Sequence, residues 1–352
     1  MPLLDGKRVV ITGGTGSLGQ VLVRRLLTGE MGRPAKITVF SRDEAKQHHM
    51  RLDYLRQPAV TDEVIYQHFR ELLEFRIGDV RDFHSVASVL RDADVVVSAA
   101  ALKQVPTCEY APYEAVRTNV AGPENIVRAI QELSLGVEVV VGVSTDKACK
   151  PVNVMGMTKA LQERVFIQGN LRCRNTRLIC VRYGNVLASR GSVIPLFLDQ
   201  IASGGPVTLT TEAMTRFLLT LNQAVDTVFA ALREAKAGET YIPRVPSARI
   251  RDLAAALIGD RPIPIVVTGI RPGEKLHEIL VSEEECHRTV RRGEYYAIRP
   301  MLPELTAGES IPGVLNDEYS SANSLIEPHQ VAELLRANDM VAGVAPAGEY
   351  LR

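Results

Sequence analysis

The chain has no surplus of either charge: Lys+Arg and Asp+Glu both total 41 in 352 residues. It therefore lacks the basic field on which sequence-independent nucleic-acid binding rests, and no nucleic-acid partner is expected. Cysteine is scarce as well. The five that occur (Cys108, Cys149, Cys173, Cys180 and Cys286) are odd in number, scattered, and form no CxxC pair. That argues against a disulfide framework or a zinc site and for reduced thiols in a cytoplasm; no metal is expected. No stretch approaches the ~18 consecutive apolar residues that a membrane span needs. The opening MPLLDGKRVVITGG has only a short apolar run before its glycines, too short for a signal h-region. A cytoplasmic protein without membrane insertion is the expectation. Internal repeats and low-complexity tracts are absent too.

What is present is a large apolar fraction, 46% against 23% charged, enough to bury a sizeable core. Short β-branched runs alternate with longer amphipathic stretches: Arg8–Ile11, Gln20–Leu27, Lys36–Phe40, Phe75–Ile77, Asp94–Val97 and Val137–Val143. Such strands, apolar on both faces and separated by helices, predict a Rossmann-like α/β fold, a doubly wound parallel sheet. Residues 116–133 and 153–167 carry helical spacing. After Arg182 glycine and proline recur, which predicts a smaller C-terminal substrate-binding lobe. The expected organisation is 1–182 for the dinucleotide-binding domain, 183–337 mainly for the lobe, and 338–352 for a tail. Leu178–Val181 and Val266–Gly269 read as strands by which the chain returns to the sheet, and residues 57–73 as a polar, partly helical insertion.

Between the first strand and helix lies Thr12-Gly13-Gly14-Thr15-Gly16-Ser17-Leu18-Gly19, with glycines at 13, 16 and 19. Glycines permit the turn and let a pyrophosphate approach backbone N–H groups at a helix N-terminus, where the dipole favours negative charge. The candidate cofactor residues there are Gly13, Thr15, Gly16, Ser17, Leu18 and Gly19. At the end of the second strand a carboxylate would hold the ribose of NAD, and cations the extra phosphate of NADP. Ser41 and Arg42, with Lys46, favour NADP, while Asp43 keeps NAD open. Asp79 and Val80 follow the third strand, where Asp79 would face the adenine. The small run Ala99-Ala100-Ala101 would let ribose and nicotinamide lie close to the backbone.

The fifth strand leads into Ser144-Thr145-Asp146-Lys147, and Met155-Gly156-Met157-Thr158-Lys159 opens the next helix. Met155 and Lys159, four apart, share a helical face. The spacing resembles the Ser/Thr…Tyr-x-x-x-Lys constellation of short-chain dehydrogenase/reductases, with Met155 where the tyrosine would stand. A thioether is no acid or base near neutral pH, so packing is its plain role. Further motifs extend the match: TGGTGSLG, FSRDEAKQ, GDVRD, AAALKQVPTCEY, STDKACKPVNVMGMTK, RYGNVLASRGSVIPLF, MTRF and RPGEKLHE. Together, in this order, they are similar to the C5-inverting UDP-N-acetylglucosamine 4,6-dehydratases of the extended short-chain reductases, in the branch with methionine at the tyrosine position. The match covers roughly Asp5 to Leu335; residues 57–73 look longer than the usual connection.

The resemblance implies a UDP-sugar substrate and a hydro-lyase reaction. Hydride leaves C4 for NADP⁺, water is lost across C5 and C6, and the hydride returns to C6. It also implies that Lys147 moves the C5 proton, Asp146 protonates the departing C6 hydroxyl, Thr145 bonds the C4 oxygen and Lys159 binds the nicotinamide ribose. A lysine base needs a lowered pKa, to which Lys159 would contribute, and an acidic Asp146 a raised one. The C4 proton would pass to Asp146, a lysine or water. Lys103, Asn185, Arg190, Arg216 and Arg271 are candidates for the UDP moiety, with Glu274 for a ribose hydroxyl. His277, inside RPGEKLHE, is the one histidine singled out. Two other readings compete: a nucleotide-sugar 4-epimerase or reductase, which needs no base at C5, and a non-catalytic NADP-binding regulatory protein, motivated by the missing tyrosine. A homo-oligomer, dimer or hexamer, is the expected assembly.

Overall fold

The structure, a computed structural model, describes residues 2–56, 69–187, 192–306, 312–338 and Met340. Arg190, most of the 57–73 insertion and most of the expected tail thus lie outside the described residues. Six parallel strands, β1 (Arg8–Thr12), β2 (Lys36–Ser41), β3 (Leu73–Ile77), β4 (Val95–Ser98), β5 (Val139–Thr145) and β6 (Arg177–Tyr183), lie in the order 3-2-1-4-5-6. This is the expected doubly wound sheet, and its strand order reverses between β1 and β4.

The strands form because their apolar residues have somewhere to go on both sides. Val9, Ile11, Ile37, Val39, Val95, Val97, Val139 and Val141 face one core, with Leu22, Val23 and Leu26 of helix α1 (Ser17–Leu27) and the helix Leu221–Glu234. Their alternates Val10, Phe40, Val96 and Val140 face a second core, under the helices Phe83–Leu90, Gly122–Glu132 and Val154–Arg172. Each such side chain, fully buried, contributes ~1.5–3 kcal/mol, so period-two alternation between two cores fixes the register.

The chain returns to the sheet by a route that differs from the expected one. Thr240–Pro243 pairs parallel with β6, and the hairpin Thr289–Arg292 and Tyr295–Ile298 adds antiparallel strands to make nine. The strand near Val266 exists, as Ile265–Val267, but it pairs with Val207–Leu209 in a separate two-stranded sheet. Val266 and Val267 are 43% and 51% exposed there, an environment no central strand of a covered sheet offers. Around that small sheet the lobe has its own core, including Ile194, Phe197, Leu209, Met214, Leu253, Leu257 and Leu335.

The helical stretch read at 116–133 is interrupted. Pro112–Val116 passes into a π-helical turn at Arg117–Ala121 before Gly122–Glu132 continues. The turn aims the buried Asn119 amide at the segment after β4. Its Nδ2 donates to the Leu102 carbonyl at 2.9 Å and its Oδ1 accepts from the Leu102 N–H at 2.8 Å. Among the described residues no helix is long and apolar enough to cross a membrane.

Candidate active site

The glycine turn does what its spacing requires. Gly13 sits at φ +68°, and a Cβ there would lie 2.8 Å from Ala100 Cα. At Gly19 a Cβ would meet the Gly14 backbone at 2.5 Å, so the turn closes only without side chains at these positions. The alanine run after β4 therefore packs on the turn itself: Ala99 N–H donates to the Thr12 carbonyl and Ala100 N–H to Thr12 Oγ1. Helix α1 begins at Ser17 after Gly16 with no side chain capping it. The first-turn N–H groups of a helix have no intrahelical partner, and left uncapped they fit the pyrophosphate of a dinucleotide.

At the end of β2 the charges sort themselves. Asp43 accepts from Lys46 N–H at 3.0 Å and pairs with Lys46 Nζ at 3.0 Å, at the start of helix α2 (Glu44–Arg56). Hydrogen bonds from the Lys46 backbone and side chain hold its carboxyl below the usual range. Thr15 Oγ1 lies 3.4 Å from Ser41 Oγ, and Arg42 is exposed beside them. Asp79 is gripped by Arg81, whose Nε lies 2.9 Å and Nη2 2.5 Å from its Oδ2. Burial would raise Asp79, but that grip holds it low. Val80, the next residue, is buried and its carbonyl accepts from Asn125 Nδ2.

Beyond β5 the chain makes a tight turn over Asp146–Ala148 before Asn153 caps the helix Val154–Arg172 by accepting from Gly156 N–H at 2.8 Å. Asp146 is 0% exposed. Its Oδ1 accepts from Thr145 Oγ1 at 2.9 Å and from Lys147 Nζ at 3.1 Å, whereas its Oδ2 has no partner. Lys147 Nζ also lies 3.0 Å from Oε1 of Glu278, a residue 2% exposed whose Oε2 is likewise unpartnered. Arg216 Nε approaches the same Glu278 oxygen at 3.7 Å. Burial pushes the Asp146 carboxyl up and the charge of Glu278 pushes it further, against the pull of Lys147 and the Thr145 hydrogen bond. The direction is the one that an acid role for Asp146 requires.

Lys147 departs from the expectation. Burial would lower it, but the carboxylates of Asp146 and Glu278 outweigh burial and hold the amine up to about 12. The lowering expected from a neighbouring cation is therefore not what the site provides, and the cation that does oppose is Arg216 rather than Lys159. Burial lowers Lys159 itself, to about 8. Its Nζ donates to the Val143 carbonyl and to Gln162 Oε1. Met155 is buried against Cys108 and Ala115, a packing role.

The substrate-side candidates divide. Asn185, just past β6, and Glu274 each hold a buried oxygen, Oδ1 and Oε2, with no partner, as groups that await a ligand do. Arg216 is engaged: it donates to the carbonyls of Thr215, Leu276 and Lys275 as well as facing Glu278. Arg271 and Lys103 are exposed. His277 Nδ1 lies 2.8 Å from Thr215 Oγ1. Sequence reasoning missed Glu278 and Gln162. Glu278 was in view as the last residue of RPGEKLHE, but only the fold brings it to Lys147.

The strand order, the glycine turn and the short turn after β5 define an extended short-chain dehydrogenase/reductase fold. Within that class the chain belongs to the polysaccharide biosynthesis protein family, whose pattern matches residues 9–300. It is 40% identical over 331 residues to a Campylobacter jejuni serotype O:2 protein named UDP-N-acetylglucosamine 4,6-dehydratase (inverting), covering 93% of this chain and 90% of that one. It is also 40% identical over 347 residues to a Rickettsia bellii protein named UDP-glucose 4-epimerase, covering 95% and 97%. Among solved structures, Pen from Bacillus thuringiensis superposes with a TM-score of 0.84 at 31% identity, covering 96% of this chain and 99% of Pen.

Proposed function

We propose that the protein is a 4,6-dehydratase that converts UDP-N-acetylglucosamine to a UDP-2-acetamido-2,6-dideoxy-4-keto-hexose with inversion at C5. The observation that carries this reading is the pair of buried carboxylates, Asp146 just past β5 and Glu278 from the lobe, that flank the half-buried Lys147, with an unpartnered oxygen on each. Removing water across C5 and C6 needs a base for the C5 proton and an acid for the departing hydroxyl. The raised Asp146 supplies the acid through Oδ2, and Lys147 Nζ takes the C5 proton after shedding one of its own. Thr145 bonds the C4 oxygen, and Lys159 holds the nicotinamide ribose. Asn185 and Glu274 receive the nucleotide with their unpartnered oxygens, and Arg271, Lys103 and Arg190 supply charge toward the diphosphate.

The bound nicotinamide would carry the hydride from C4 to C6. NADP fits the end of β2 better than NAD does, because Asp43 is already committed to Lys46 while Ser41 and Arg42 border the turn. The epimerase name of the Rickettsia relative favours a second reading, C4 epimerisation of UDP-glucose. Epimerisation leaves C5 untouched and gives a base at C5 and an acid at the C6 hydroxyl nothing to do. Incubation with NADP⁺ in D₂O separates the two. Loss of one water from UDP-N-acetylglucosamine with deuterium at C5 supports the dehydratase, and its C5 coupling reports inversion. UDP-galactose formed from UDP-glucose without C5 deuterium overturns it.

A further inference from the structure

Gln47 closes the motif FSRDEAKQ in the first turn of α2, and at 5% exposure its amide is turned back onto the sheet. Its Nε2 lies 3.0 Å from the Ser41 carbonyl, 2.9 Å from the Arg76 carbonyl and 3.2 Å from Ser41 Oγ. A backbone carbonyl only accepts, so the two carbonyls decide which end of the amide faces them: the NH₂. Ser41 Oγ is therefore an acceptor toward Gln47. Thr15 Oγ1 donates to the same oxygen at 3.4 Å. A hydroxyl has two lone pairs and one hydrogen, and here both lone pairs are met from within the protein. The hydrogen of Ser41 has no acceptor among the described residues. Thr15 is buried, whereas Ser41 is half-buried at the end of β2 beside the exposed Arg42, so the hydrogen left over belongs to the residue that a cofactor can reach.

We propose that Gln47 is a determinant of cofactor choice: by donating into Ser41 Oγ from its buried side, it reserves the Ser41 hydroxyl as a donor toward the 2′-phosphate of NADP. The oxygens of a charged phosphate accept, and a hydrogen bond to a charged acceptor is about twice as strong as one between neutral groups. The 2′-hydroxyl of NAD both donates and accepts, so it gains little from a serine whose polarity is fixed. Gln47 acts through Ser41 and is a positioning residue for it. The same amide ties the ends of β2 and β3 together, which explains why a polar group is buried there. The proposal rests on NADP being the cofactor.

The test is calorimetric titration of full-length protein, stripped of nucleotide, with NADP⁺ and with NAD⁺. Gln47→Met keeps the length of the side chain and removes the donor. Gln47→Glu keeps the shape, turns an acceptor toward Ser41 Oγ and draws the serine hydrogen inward, and it serves equally should Gln47→Met not fold. Selectivity for NADP over NAD is expected to fall ~5-fold in Gln47→Met and ~10-fold in Gln47→Glu, within the reach of one charged hydrogen bond. In the Ser41→Ala background both losses should shrink at least ~threefold, because the hydroxyl through which Gln47 acts is gone. Selectivity that stays at the wild-type value in the Gln47 variants overturns the proposal and leaves the NADP reading standing. Losses as large in Ser41→Ala as in wild type overturn it too, since Gln47 would then act on the fold or by charge alone. Wild-type protein that binds NAD as tightly as NADP removes the NADP reading, and the proposal with it.

Discussion

Replacing Asp146 by asparagine keeps the side chain's shape but removes its titrating proton, along with the charge by which its carboxylate helps hold Lys147 up. The amide Oδ1 still accepts from Thr145 Oγ1 and Lys147 Nζ, now at 2.9 and 3.1 Å from the carboxylate. What disappears is the acidic proton that Oδ2 would present to the C6 hydroxyl. General acid catalysis is worth ~10²–10⁴-fold, so elimination should slow by that factor, ~2.7–5.4 kcal/mol of barrier. Lys147 is intact, and solvent deuterium should still enter C5 of a 4-keto sugar that retains its C6 oxygen. The pH profile follows from the same group. Burial and the charge of Glu278 raise Asp146, so in wild type the acid form persists at higher pH and elimination falls as pH rises through the raised value. Asp146→Asn should lack that limb. The stability contribution of the same group falls with rising pH as well. A raised carboxyl contributes stability that is complete below its unfolded pKa, ~3.9, and is lost as pH rises through the folded one. Asparagine has no such loss, so Asp146→Asn should gain on wild type in urea midpoint as pH rises. The assay is mass spectrometry and proton NMR of the sugar in D₂O. Water loss within about threefold of wild type, under 1 kcal/mol, would refute the assignment of Asp146 as the acid.

Arg182, 2% exposed, bonds Glu163 and Glu285 at 2.7 Å each, and Arg182→Met leaves two buried carboxylates facing each other. The expected cost is ~3–5 kcal/mol by urea denaturation; a loss below ~1 kcal/mol contradicts it. Burial would raise Glu285, but Arg182 holds it at about 2, so its share of stability is present above ~4.3, the unfolded value, and is lost as pH falls toward about 2. Arg42→Ala should weaken NADP binding ~10-fold or more, one charged hydrogen bond's worth, and leave NAD nearly unchanged in calorimetric titration; equal losses for both count against NADP. Met155→Leu nearly conserves volume in the Cys108–Ala115 cluster and should cost less than ~1.5 kcal/mol, with turnover retained. A large fall in turnover with intact stability would give the sulfur a chemical role.

The main sheet was legible because its signal is local and physical. Val-rich runs between helical patterns can only be strands buried on both faces, and the glycines of Thr12–Gly19 announce a turn whose backbone packs on backbone. The return to the sheet was not. Thr240–Tyr241–Ile242–Pro243 is short and ends in proline, and nothing local says it will pair with β6 while the more apolar Ile265–Val267 will not. The raised carboxyl of Asp146 was also within reach, since a carboxylate at the end of a covered strand is buried by its surroundings. The state of Lys147 was out of reach because it is set by Glu278, a residue whose proximity is a property of the whole fold.

That distance in sequence has a consequence for how the site is held together. The loop 273–278 is fastened to the sheet domain at three places. Asn153 Nδ2 donates to the Gly273 carbonyl at 2.8 Å, Lys275 Nζ donates to the Cys149 carbonyl at 2.5 Å, and Glu278 meets Lys147. Arg216 ties the same loop to its own lobe through the carbonyls of Lys275 and Leu276. Two of these fasteners involve cations whose second role is electrostatic: Arg216 and Lys275 both help keep Glu278 ionised against its burial. A carboxylate so buried stays charged only while those cations stay, so the bonds that dock the loop are also the ones that keep Glu278 the anion that faces Lys147. Loosening the loop at Asn153 should therefore disturb Lys147 without touching any residue that contacts it. Asn153→Ala is expected to cost ~1 kcal/mol as a lost helix cap and, beyond that, to let the Lys147 amine lose its proton more readily in an NMR titration as its contact with Glu278 loosens. A stability loss with an unmoved Lys147 titration would show that docking and charge are independent.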